Sequence, residues 1–252
     1  MVAALALTLL GLCGVASNAS ASYHLMKVRE VSPGNGSPNT SYIEIQMYAP
    51  GQEFLSLGAK LVVCNNICSI LPAEFTGFSN VAQGANQSTV VVGDSAAPSK
   101  DFTRDLNLES VMAGGAACYV SEPGYSDCVS WGNFSANSTL TANYGTSADS
   151  GAPAPALTSG MALRRSVSAG CPSALESGDD TNNSAADFAV TTPNPRPNSV
   201  APSETTCGAS TPPTGYPTQP GGSSATKKKK KCKKKKHRSA YAAKKKCKKR
   251  RK

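Results

Sequence analysis

Short runs of alternating apolar and polar residues, broken by clusters of Gly, Pro, Asn and Ser, fill the chain from Ser22 to about Asn198. The alternation is clearest in Tyr42-Ile43-Glu44-Ile45-Gln46-Met47-Tyr48. There Ile43, Ile45 and Met47 fall on one face and Glu44 and Gln46 on the other. A two-residue period belongs to a strand with one face in a core and one in water, so acids such as Glu44 read as the wet face. The same reading predicts strands at Leu25–Val31, Lys60–Cys64, Thr89–Val92, Leu106–Val111, Ala116–Ser121, Asp127–Trp131, Met161–Ser166 and Phe188–Thr191. No window of ten or more residues carries an apolar stripe at helical spacing. Many short strands with turn residues between them predict an all-β fold, a β-sandwich. The body spans 22–198, and about 175 residues suffice for one such domain.

The two ends follow other rules. Val2 to Val15 are almost wholly small or apolar and lead into Ala19-Ser20-Ala21, a small-x-small cleavage pattern. Residues 1–21 are therefore expected to be a secretory signal, removed before Ser22. The apolar run is too short to span a bilayer, so no transmembrane segment is expected after cleavage. Past Pro193-Asn194-Pro195-Arg196-Pro197-Asn198 the composition turns to Pro, Ser, Thr and Gly, as in Thr211-Pro212-Pro213 and Pro220-Gly221-Gly222-Ser223-Ser224. Such a stretch buries too little apolar surface to fold, and 199–226 is expected to be a flexible spacer.

Charge is segregated along the chain. Of its 26 Lys and Arg, 18 lie in the last 26 residues and none of its 16 Asp and Glu does. They are Lys227, Lys228, Lys229, Lys230, Lys231, Lys233, Lys234, Lys235, Lys236, Arg238, Lys244, Lys245, Lys246, Lys248, Lys249, Arg250, Arg251 and Lys252. The rest keeps 26 − 18 = 8 basic groups against 16 acids, a body of −8 carrying a tail, 227–252, of +18. Lysines at i, i+3 and i+4 repel on a helix, so the tail is expected to be extended. A clustered polycation suits an anionic partner, at about 1 kcal/mol per charge near an anionic membrane, and its hold weakens with salt. An anionic cell-wall polymer, an anionic membrane surface and nucleic acid all qualify, and a solubility tail without a dedicated partner is the plain alternative. Lys outnumbers Arg and Tyr241 is the tail's one aromatic, which argues against reading base sequence.

Eight of the nine cysteines follow the signal, an even number in a chain bound for an oxidising compartment, which predicts disulfides. Cys118 and Cys128 lie equally far from Pro123 in a turn between two predicted strands, and Cys64 and Cys68 flank Asn65-Asn66-Ile67 in the same way. Cys171 with Cys207 would close the end of the body, and Cys232 with Cys247 would loop the tail. A metal site would want histidine partners, and the chain has only His24 and His237.

The body resembles a bacterial lamin-tail domain, an immunoglobulin-like sandwich. Met26-Lys27-Val28-Arg29-Glu30-Val31 is similar to that family's first strand and Ser41-Tyr42-Ile43-Glu44-Ile45 to its second. Ala162-Leu163-Arg164-Arg165, Asp179-Asp180-Thr181-Asn182-Asn183, Asp187-Phe188 and Pro193-Asn194-Pro195 through Asn198 resemble its closing pattern. The body cysteines and the added length between Asn133 and Gly160 depart from it. The resemblance implies a secreted or cell-surface binding or scaffold domain and brings no catalytic residues.

Other chemistry leaves thin traces. A hydrolytic triad needs an imidazole beside its nucleophile, and the body's one histidine is His24, near the start of the mature chain. Paired carboxylates of a hydrolase leave no pattern in sequence, so that alternative stays open. Asp179, Asp180, Asn182, Asn183 and Asp187 offer oxygen ligands for calcium, but the run lacks the Gly and Glu of an EF-hand, and Asp and Asn also cap ordinary turns. Trp131, Tyr119, Tyr125 and Phe134 read either as core or as a platform for a sugar. No other cofactor is implied.

Overall fold

The computed structural model describes residues 23–69, 73–122, 125–205 and 207. The chain divides into two units, 1–219 and 220–252, and every described residue belongs to the first. The expected signal, nearly all of the spacer after 205, the cationic tail and the Cys232–Cys247 pair lie outside the described residues.

The fold is all-β. Its strands are β1 (Met26–Ser32), β2 (Tyr42–Met47), β3 (Lys60–Asn65), β4 (Ala73–Phe75), β5 (Thr89–Gly93), β6 (Phe102–Thr103), β7 (Gly114–Glu122), β8 (Tyr125–Gly132), β9 (Ala162–Arg165) and β10 (Phe188–Thr191). They form a six-stranded sheet in the order β10-β9-β1-β2-β5-β6 and a four-stranded sheet in the order β4-β3-β7-β8. Neighbours pair antiparallel, except β5 with β6.

The sheets pack face to face. Met26, Val28 and Val31 of β1, Ile43, Ile45 and Met47 of β2, and Val90 and Val92 of β5 meet Leu61, Val63, Tyr119, Val129 and Trp131 of the other sheet in one core. Trp131 is fully buried, with its indole N–H donating to the Val111 carbonyl at 2.8 Å. Gly115 makes room for it, since a Cβ there would stand 2.7 Å from the Cys64 carbonyl oxygen and 3.0 Å from the Trp131 ring.

A bulge sets which side chains of β1 face this core. Val28 pairs with Ile45 and Glu30 with Glu44, so Arg29 is the extra residue. Strict alternation would have sent Glu30 inward with Met26 and Val28. The added residue reverses the phase, placing Val31 in the core and Glu30 opposite Glu44 on the outer face.

Both outer faces are covered over their central strands, which corrects the reading of β2 as half-wet: all six of its residues are buried, Glu44 and Gln46 included. Residues 193–205 close over the first sheet. Over the second lies the helix α1 (Asn137–Tyr144), whose Leu140 and Tyr144, one turn apart, pack on Val62, Ala116, Cys118, Val120 and Cys128. At eight residues α1 is too short to leave a helical stripe in the sequence. A second correction concerns Leu106–Val111, which forms no strand. The Leu106 N–H is taken by Asp94 at 2.6 Å, Asn107 turns left-handed at φ 50°, and Leu108–Val111 winds into a 3-10 helix.

Among the described residues three disulfides are present: Cys64–Cys68, Cys118–Cys128 and Cys171–Cys207. Cys118 and Cys128 are directly opposed on β7 and β8. Cys64–Cys68 instead bridges a turn at the end of β3, since it is Val63 and Ala73 that pair across to β4. Disulfides fit an oxidising compartment. No helix among the described residues is long and apolar enough to cross a membrane.

Candidate functional site

Two buried charge networks stand out. The first joins the β8 edge of the small sheet to β1 and β9 of the large one. Arg165, which ends β9, is 1% exposed. Its Nη2 donates to both oxygens of Asp127 on β8, at 2.7 and 2.9 Å. Its Nη1 lies 3.3 Å from Asp187 Oδ2 and 3.3 Å from Asp180 Oδ1, and its Nε donates to the Val28 carbonyl at 3.0 Å. The guanidinium stands over the Phe188 ring, 4.6 Å from its centroid. Lys27 of β1 adds a second cation, its Nζ 2.6 Å from Asp180 Oδ2 and 3.6 Å from Asp127 Oδ1. Asp127 also accepts the Val28 N–H at 2.6 Å, beside the bulge.

Burial and charge compete in this cluster. Burial raises Asp127 to about 6, although Arg165 and Lys27 pull the other way. Burial pushes Asp180 up too, but Lys27 and Arg165 outweigh it and hold that carboxyl well below the usual carboxylate range. For Arg165 burial works against the charged form, and Asp127, Asp180 and Asp187 more than reverse it.

The second network lies beneath residues 193–205, an extended strap across the large sheet. The N–H groups of Asn194, Arg196 and Asn198 donate to Glu30 Oε1 at 2.9 Å, Glu44 Oε2 at 3.0 Å and Asp101 Oδ2 at 2.9 Å. The alternate residues are Pro193, Pro195 and Pro197, which have no N–H. Every backbone donor from 193 to 198 is thus matched by a carboxylate beneath the strap, two on β1 and β2 and one just before β6, in a period of two. Glu30 also meets Arg164 Nε at 3.1 Å and accepts from the Tyr42 hydroxyl. Burial pushes Glu44 up to about 7 despite its bond from Arg196, with Glu30 opposite adding to the rise. Arg29, between these groups, is lowered to about 10, by burial and then by Arg164.

The strap is clamped beyond this ladder. Asn198 Oδ1 accepts the Gln83 N–H at 2.7 Å, while Nδ2 donates to the carbonyls of Gln83 and Thr89, each at 3.0 Å. Arg196 Nη1 pairs with Glu204 at 2.7 Å, and Cys207 is fixed to Cys171. An Asn198→Ala variant leaves two carbonyls and an N–H without partners and should cost about 2 kcal/mol. The expected readout is a lower urea midpoint together with faster proteolysis within 199–205.

The calcium candidates divide into two groups. Asp180 and Asp187 meet at Arg165. Asp179 instead closes a turn, with Oδ1 accepting the N–H groups of Ser168 and Ala169 and Oδ2 that of Glu176, all at 2.8 Å. Asn182 is left-handed at φ 54°, and the Asn183 carbonyl starts the helix α2 (Ser184–Asp187). Among the described residues no group of three or more His, Cys, Asp or Glu side chains is arranged to hold a metal. The aromatic candidates do not form one surface: Trp131 and Tyr119 sit between the sheets, Phe134 packs under α1, and Tyr125 is 39% exposed on β8. His24 stacks between Tyr23 and Tyr125, with centroids 4.6 and 5.2 Å away.

Sequence reasoning missed both networks because it assigned Glu44 to water and Asp180 and Asp187 to a loop. The available signal was Arg164, Arg165 and Arg196, three of the five arginines of an acid-rich body, falling close to its end. Compared with protein-family models, with curated proteins and with solved structures, the chain matches none of them.

Proposed function

We propose that this chain is an exported, non-enzymatic binding or scaffold module. In this reading the body is an immunoglobulin-like sandwich of lamin-tail type, and residues 227–252 hold it electrostatically on an anionic cell-envelope polymer or membrane surface. The observation that carries the reading is the segregation of charge, +18 in the last 26 residues against −8 in the rest. A polycation on an acidic carrier attracts an anionic surface while the carrier itself is repelled, which favours attachment by the end alone. The lamin-tail assignment draws support from placement. The runs that resemble its first and second strands form the adjacent β1 and β2, the Arg run is β9 beside β1, Asp187-Phe188 joins α2 to β10, and the Pro-Asn-Pro ending lies on Glu30. No cofactor is assigned.

Deleting 227–252 tests the tether. The full chain should bind purified anionic wall polymer or vesicles containing anionic lipid at low salt and come off as salt rises, whereas the truncated chain should stay in solution. Unchanged retention without the tail sinks the proposal. Marked preference of the full chain for duplex DNA over both surfaces would transfer the tail's role to nucleic acid.

A further inference from the structure

We propose that Lys27 and Asp180 become joined by an intramolecular isopeptide bond, a covalent brace between the first strand of the body and the loop that precedes its last. This inference is independent of what the tail binds.

The parts are already assembled. Lys27 Nζ touches Asp180 Oδ2 at 2.6 Å, so the carboxyl carbon lies one bond beyond the contact. The two side chains are only 11% and 12% exposed, and the Tyr48 ring stands 5.6 Å from the ammonium. Asp127 Oδ1 lies 3.6 Å from Nζ, on a side chain 3% exposed. Arg165 Nη1 faces the other oxygen, Asp180 Oδ1, at 3.3 Å. A nucleophile, an electrophile, a proton carrier and a cation positioned for the developing oxyanion thus meet in one water-poor site, three of them held on β1, β8 and β9 and Asp180 on the loop before β10.

The steps balance. One proton passes from the Lys27 ammonium to Asp180 Oδ2 along their contact, an uphill transfer against the pairing that keeps Asp180 ionised, leaving a neutral amine and a neutral carboxyl group. The amine attacks Cγ, and the negative charge gathers on Oδ1 against Arg165. Asp127 takes the second proton from the nitrogen and delivers it to Oδ2, whose bond to Cγ breaks and which leaves as water. The sum is ammonium plus carboxylate giving amide plus water, with Asp127 and Arg165 unchanged. Condensation removes one positive and one negative charge from a buried site, where each is costly to desolvate. Arg165 keeps Asp127 and Asp187 afterwards. The brace would join residues 153 apart in sequence, against separations of 4, 10 and 36 for the disulfides among the described residues.

Intact mass spectrometry of the full secreted chain, reduced and alkylated, tests this directly. The expected mass is one water molecule below that of the sequence from its measured N-terminus. A branched tryptic peptide should join the segment containing Lys27 to that containing Asp180, without cleavage at Lys27. Lys27→Arg, which keeps the cation but cannot form the bond, should restore the full mass. A wild-type chain of full mass overturns the proposal. So does a missing water that maps anywhere other than to the Lys27–Asp180 branch.

Discussion

Arg165→Met will destabilise the body by about 3 to 5 kcal/mol, because it removes the cation that Asp127 and Asp187 share in the interior. Arg165 is 1% exposed and Asp127 2%, so water cannot replace the lost partner. The substitution roughly keeps the volume of the side chain, and so isolates charge from packing. The variant's deficit should shrink on acidification, since protonating the orphaned carboxyls removes the uncompensated charge. Arg165→Lys should recover less than half of the loss. A single ammonium cannot reproduce the fork that meets both oxygens of Asp127 while Nε reaches the Val28 carbonyl. The measurement is urea unfolding with the disulfides intact, at pH 5 and pH 8. A loss below about 1 kcal/mol at pH 8 would show that the cluster carries no net stability.

The strands were legible where one rule acted alone. In β2 the inward residues Ile43, Ile45 and Met47 follow the pleat, and the limits of β2 and β5 fall within a residue of the pattern. The pattern could not show what lay above each sheet. Glu44 and Gln46 look wet because their neighbours in sequence are apolar, yet residues 196 and 204, far along the chain, cover them. Burial of that kind is a tertiary fact with no local period. The Leu106–Val111 run failed for the opposite reason: an acceptor elsewhere, Asp94, takes the backbone donor a strand would need. The bulge at Arg29 is likewise invisible locally, though it decides that Glu30 joins Glu44. Cysteine spacing predicted the Cys118–Cys128 cross-strand pair, because equal arms about a turn fix a register. Of the candidate sites, the acidic run 179–187 was visible as a cluster. Its partner Arg165 was not, since pairing depends on which way β9 faces.

The body will be more stable near pH 5 than near pH 8, and Glu44→Gln will remove most of that difference. Glu44 has an ordinary value of 4.5 and is raised to about 7 in the fold, first by burial. An acid whose pKa is higher in the folded than in the unfolded chain binds more protons when folded. Its contribution therefore declines as pH rises from about 4.5 and levels off above about 7. The shift corresponds to about 3 kcal/mol at full ionisation. Asp127, lifted from 3.8 to about 6, acts in the same direction over a slightly lower window. Glu204 opposes them. It is held below its ordinary value of 4.5 by Arg196 against the effect of burial, so its stabilisation is lost only as pH falls below that value. The two windows barely overlap, which places the maximum between them, near pH 4 to 5. Glu44→Gln keeps an oxygen for the Arg196 N–H but cannot ionise beside Glu30, so its melting temperature should vary far less between pH 5 and pH 8 than that of the parent chain. An unaltered pH profile in the variant would mean that Glu44 is ionised in the folded state at pH 5, with Arg29, Arg164 and Arg196 providing the compensation.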